Sequence, residues 1–254
     1  MKKDRKVYQG IERPKKRSDF RIRLGRWYYG MLRRFLWWKM DRLFAKAQQT
    51  EPLHYCYYSH KTILLRKLKD VDMYLQYNKI TNLNLAVAKI NGVVIKPGET
   101  FSIWRMVGRP TKRKGYKTGM MIHNGKVSTG IGGGLCQLGN LIYWMALHSP
   151  LTVKERWRHS FDVFPDVNRT IPFACGATLA YNYIDLQLEN NTDITFKINL
   201  WLDEEYLRGT PQFRQTKNTR YMRPTNVLNN NGGAATLATT EFTDVSQPLR
   251  QAKR

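Results

Sequence analysis

Three consecutive glycines, Gly132-Gly133-Gly134, run into Leu135-Cys136-Gln137 and then into an apolar stretch halted by Ser149-Pro150. Such a run lets the backbone take positive φ and approach a ligand closely. The stretch from Gln137 to His148 reads as a buried helix stopped by the proline. That places Cys136 beside a helix N-terminus, where unpaired N–H groups and the helix dipole favour negative charge. A thiol so placed is expected as a stabilised thiolate, the form that attacks carbonyls. The same N–H groups, those of Gly133 and Gly134 among them, could hold an oxyanion or another ligand group, with the Gln137 side chain as a second donor. Taken alone, Cys136 reads as a small apolar residue at a tight strand–helix junction. The Lys-Ser/Thr ending of a phosphate-binding loop is missing, which argues against nucleotide binding.

A thiol nucleophile needs a base. His159 follows a strand expected over 152–158, a place where functional side chains are often presented. His148 ends the helix that starts at Cys136, about 18 Å away. His123 abuts a turn, and His54 and His60 lie outside the expected core. Alone, His159 reads as a hydrogen-bonded structural histidine; with Cys136 it could form a nucleophile–base pair. Cys56, Cys136 and Cys175 cannot all pair within one chain, and none lies in a C-x-x-C pair or a Cys/His cluster of zinc spacing. No metal and no cofactor is expected.

Around this turn the chain reads as α+β. A helix containing Ile80, Leu83, Val87 and Ile90 ends at Asn91-Gly92, followed by a buried strand at Val93-Val94-Ile95. Asn124-Gly125 signals a hairpin over 119–129. Further strands are expected at 177–183, 185–190 and 194–202. The overall expectation is antiparallel strands with a hairpin, packed around the glycine-rich turn and one short buried helix.

The chain of 254 residues carries 43 Lys and Arg against 19 Asp and Glu, a net charge of +24. Half of that excess lies in residues 1–46, which hold 16 basic and four acidic residues. Within this stretch Leu24, Tyr28, Met31, Phe35 and Trp38 recur at helical spacing and share one face, with Arg26 and Arg33 opposite. Two readings follow: a basic amphipathic helix lying in an anionic membrane surface, or a helix packed on the domain with its charges solvated. The coincidence of rings and cations favours the first. Nucleic acid is not the expected partner, because no recognised binding module follows the arm. No stretch has the length and apolarity of a membrane span, and no signal peptide is evident, so a cytoplasmic or membrane-peripheral location is expected.

From Leu83 to about Asn191 the chain resembles the VanW family. The resemblance rests on Ile95-Lys96-Pro97-Gly98-Glu99-Thr100-Phe101-Ser102, Ile131 to Asn140, Ser149 to Arg156, His159 and Asp185-Leu186. It implies work on the cell wall, in functions of the glycopeptide-resistance type. Some domains similar to VanW act as cysteine L,D-transpeptidases, which implies Cys136 as nucleophile, His159 as base and peptidoglycan or a precursor peptide as partner. The alternative is a non-catalytic precursor-binding or accessory protein at the membrane surface. The family commonly carries Asp-Ala-Thr where this chain has Gly176-Ala177-Thr178, so Asp185 or Asp162 would have to orient the histidine. The chain divides into a basic arm and helix (1–46), a connecting segment (47–75), a VanW-like domain (76–212) and a tail expected to be disordered (213–254).

Overall fold

The computed structural model describes residues 18–53, 55–66, 72–123, 126–157 and 175–214. Helix α1 (Asp19–Lys39) is followed by strands β1 (Tyr55–Cys56) and β2 (His60–Ile63), helix α2 (Met73–Ile90), and strands β3 (Val93–Ile95) and β4 (Thr100–Ser102). Then come the short helix α3 (Ile103–Val107), hairpin strands β5 (Thr118–His123) and β6 (Lys126–Ile131), and helix α4 (Cys136–Leu147). Strands β7 (Thr152–Glu155), β8 (Gln187–Glu189), β9 (Thr195–Leu202) and β10 (Tyr206–Arg214) follow among the described residues.

The architecture is α+β, as the sequence suggests. The main antiparallel sheet runs β1-β10-β9-β3, with β2 also pairing β10. A smaller sheet, β4-β8-β7, and the β5–β6 hairpin stand beside it. Helix α4 packs on β10 and β2, and α2 packs on β9 and β5. Leu138, Leu141, Ile142 and Met145 of α4 meet Phe196, Ile198, Leu200 and Leu207 in one core. Fully burying side chains of this kind contributes about 1.5–3 kcal/mol each before entropy is subtracted.

Three placements differ from the sequence reading. Residues 177–183 form no ladder: 177–179 run extended along α4, and an isolated bridge joins Ala180 to Ile184 around Asn182, whose φ is 58°. The segment 47–75, expected as a connector, supplies β1 and β2 to the main sheet. Strand β10, the sheet's most heavily paired member, continues to Arg214, past the expected start of the tail. Its hydrophobic alternation is diluted by Arg208, Gly209, Thr210 and Gln212, which hides it in a hydropathy reading. Residues 215–254 lie outside the described residues.

Candidate functional site: the Cys136 turn

The glycine run closes the β5–β6 hairpin onto α4, and each glycine answers a different demand. Gly132 and Gly134 take φ of 77° and 90°, a region L side chains rarely adopt. Gly133 lies so close to β5 that an added Cβ would sit 2.2 Å from the carbonyl of Gly119. Asn82 of α2 pins this junction. Its amide donates to the carbonyls of Gly133 (2.9 Å) and Lys117 (3.0 Å), and its carbonyl accepts from Lys117 N–H at 2.8 Å.

The N-terminus of α4 is only partly satisfied. The N–H groups of Gln137 and Leu138 bond back to the carbonyls of Gly134 and Leu135. Those of Gly134, Leu135 and Cys136 make no backbone hydrogen bond among the described residues. Lys79 of α2 lies against this stretch: an added Cβ on Gly134 would sit 2.3 Å from its Cγ. Lys79 is only 8% exposed, and its ammonium donates to the amide oxygen of Gln76 at 2.8 Å. Burial, with Arg66 nearby, lowers its pKa to about 8. N–H groups without backbone acceptors, on a turn packed against a lysine stem, form a setting for a carboxylate or an oxyanion.

Helix position alone would lower the thiol pKa, and burial acts in the opposite direction. Burial pushes the Cys136 pKa up, outweighing the backbone contacts that favour the anion. Its Sγ faces the carbonyl of Leu179 at 4.0 Å, as a neutral S–H donor would. Desolvation outweighs the helix dipole here because Leu135, Leu138, Ala177 and Leu179 enclose the first turn of α4. Gln137 faces β2. Its side-chain amide is spent on β2, donating to Thr62 Oγ1 (3.0 Å) and the Ile63 carbonyl (2.8 Å).

Asp185, expected as a possible orienting acid, is fully buried. Its carboxylate accepts from Ser102 Oγ (2.5 Å), Trp104 N–H (3.2 Å), Leu186 N–H (2.9 Å) and Gln187 Nε2 (3.4 Å). Burial raises its pKa to about 6 despite these donors. The group stitches β4, α3 and β8 together. His159 and Asp162 lie outside the described residues, as do His54 and the side chain of His123. The chain leads toward His159 from Trp157, whose carbonyl accepts from Thr178 N–H at 2.7 Å, one residue before Leu179. His148 is at the far end of α4, its Nδ1 2.8 Å from the Trp144 carbonyl and its ring stacked on Tyr58. All three cysteines are free. Among the described residues no cluster of His, Cys, Asp and Glu could hold a metal ion.

Lys79 escaped the sequence reading. It shares the buried face of α2 with Leu75, Gln76, Asn82, Leu83, Ala86, Val87 and Ile90. Gln76, Lys79 and Asn82 recur every third residue along it, and that polar stripe within a buried face was the available signal.

An α+β domain with a glycine-rich hairpin–helix junction, its Gly134 packed on a buried lysine and Cys136 opening the helix, defines the class. The model of the VanW-like protein family matches residues 78–210, and the chain belongs to that family. It is 40% identical over 166 residues to the vancomycin B-type resistance protein VanW of Enterococcus faecalis, covering 65% of this chain and 60% of that protein. It is 31% identical over 109 residues to the uncharacterized protein YoaR of Bacillus subtilis, covering 43% of this chain and 34% of that protein. The chain thus spans less than two thirds of either relative. No solved structure matches.

Proposed function

We propose that the chain serves the cell wall in a resistance-type function, holding a peptidoglycan stem or precursor peptide at the Gly132–Gln137 turn. The single observation carrying this reading is a turn whose Gly134, Leu135 and Cys136 N–H groups have no backbone acceptor among the described residues, with Gly134 packed on the stem of the buried Lys79. A peptide carboxylate fits that turn. The resistance context comes from the name of the Enterococcus faecalis relative. Cys136 is half-buried and burial pushes its pKa up, which favours binding over standing nucleophilic attack.

Acyl transfer is the second reading, favoured by the same N–H groups, which suit a tetrahedral oxyanion beside Cys136. In that reaction the sulfur, deprotonated by a base such as His159, adds to a peptide carbonyl. The amine of the released residue takes the proton, leaving a thioester that an acceptor amine then cleaves.

Intact-protein mass spectrometry and calorimetry with a muropeptide bearing a free C-terminal carboxylate test both. Binding predicts a titratable complex without a covalent adduct, retained in Cys136→Ser and weakened roughly tenfold or more in Lys79→Met. An adduct on Cys136 would replace binding with acyl transfer. No complex and no adduct would refute both.

A further inference from the structure

Helix α1 is fastened to the domain by a narrow face, and not the one its apolar pattern marks. Arg33 donates both guanidinium arms to Glu155, at 2.6 and 2.8 Å, and lies 4.0 Å from Asp185. Burial alone would lower the Arg33 pKa, but the hydrogen bond and charge of Glu155 outweigh it and raise it. Asn182 donates to the Gly30 carbonyl at 2.6 Å, and an added Cβ at Gly30 would press on that same amide. Trp37 is buried, and its carbonyl accepts from Arg105. Gly30, Arg33 and Trp37 lie on one side of the helix, given about 100° per residue.

The opposite side carries Leu24, Tyr28, Met31, Phe35 and Trp38, all exposed, with Trp38 at 74% and the adjoining Trp27 at 63%. The helix therefore presents its larger apolar face away from the domain, and the clamp fixes that face's direction. An outward apolar face of this size on one helix marks an interaction surface. Exposed Arg21, Arg23, Arg34 and Lys39 surround it, while Asp19 is the helix's one acid. A second copy seated on this face would set cation against cation. Among the described residues no helix is long and apolar enough to cross a membrane, so the helix would lie along a surface.

We propose that this outward face of α1 beds into an anionic lipid surface, its rings at the headgroup boundary and its cations on lipid phosphates, holding the domain in one orientation.

Full-length protein is sedimented with vesicles of phosphatidylcholine alone or mixed with phosphatidylglycerol, and hydroxyl-radical footprinting reads Trp27 and Trp38. The expected result is binding to the mixed vesicles only, with both tryptophans protected there and reactive without lipid. Trp27→Ser/Phe35→Ser/Trp38→Ser keeps every charge and should weaken that binding roughly a hundredfold, because these side chains leave the clamp untouched. Arg21→Gln/Arg23→Gln/Arg34→Gln/Lys39→Gln should weaken it by a comparable factor. The proposal is overturned if the triple serine variant binds as the parent does, or if neutral and anionic vesicles bind equally. Protection of Trp27 and Trp38 without lipid would also overturn it, assigning the face to another part of the chain or to a second copy.

Discussion

Two buried ionisable groups lie in the same fold and are treated in opposite ways. Around Asp185, four donors converge on one carboxylate while Arg33 and Glu155 stand alongside. Around Lys79, the ammonium has one neutral partner, Gln76, among the described residues, and the turn its stem packs on leaves three N–H groups without backbone acceptors. A buried charge with a full set of partners locks elements together and has no capacity left for a ligand. A half-satisfied cluster costs stability in the resting protein and gains partners when an anion arrives. Asp185 is therefore a structural joint, and the Cys136 turn is where the proposed function places recognition.

The largest effect should come from removing the satisfied group. Asp185→Ala strands Ser102 and the Trp104 and Leu186 N–H groups, and should cost about 3 kcal/mol or more in denaturant unfolding. The pH dependence has a definite sign. The folded pKa, about 6, lies above the ordinary 3.8, so the folded state holds the extra proton between them. Stability from this group is full below 3.8 and is lost as pH rises through about 6. Relative to an Asp185→Asn variant, the parent should weaken over that window; a parent that strengthens there would mean that the carboxylate prefers its charge.

Next in size is Gly133→Ala. A Cβ there meets the backbone of Gly119, which cannot rotate away, so thermal unfolding should report a loss of about 1–3 kcal/mol. The smallest and most telling is Lys79→Met, because its sign should reverse. Folding lowers this lysine to about 8 from 10.5, so the charged form is penalised at neutral pH. Replacing it with an apolar chain should raise stability by about 1 kcal/mol while weakening the muropeptide complex. Loss of stability instead would make Lys79 another structural joint and erase the contrast with Asp185.

Much of this was legible from the residues. Local signals placed α4 to within a residue at each end, the hairpin, and β9, because each depends on glycine, proline, Asn-Gly or hydrophobic periodicity acting nearby. The glycine run was read as approaching a ligand; its close approach to the backbone of Gly119 was not foreseen. Long-range contacts were not readable. Nothing local tells that Gln137 will spend its amide on β2, that Asp185 will gather donors from three elements, or that Leu179 will shield the Cys136 sulfur. The outward face of α1 illustrates the same limit. Leu24, Tyr28, Met31, Phe35 and Trp38 were correctly grouped, and Arg33 was correctly set opposite, but only the coordinates show that Arg33's side is the one clasped to the domain.

Titration of the Lys79 ammonium by NMR, with and without a muropeptide bearing a free carboxylate, tests the half-satisfied site most directly. The account predicts a pKa near 8 in the free protein, moving upward as the carboxylate binds. A lysine that titrates at 10.5 in the free protein, or one that the peptide leaves unmoved, would contradict it.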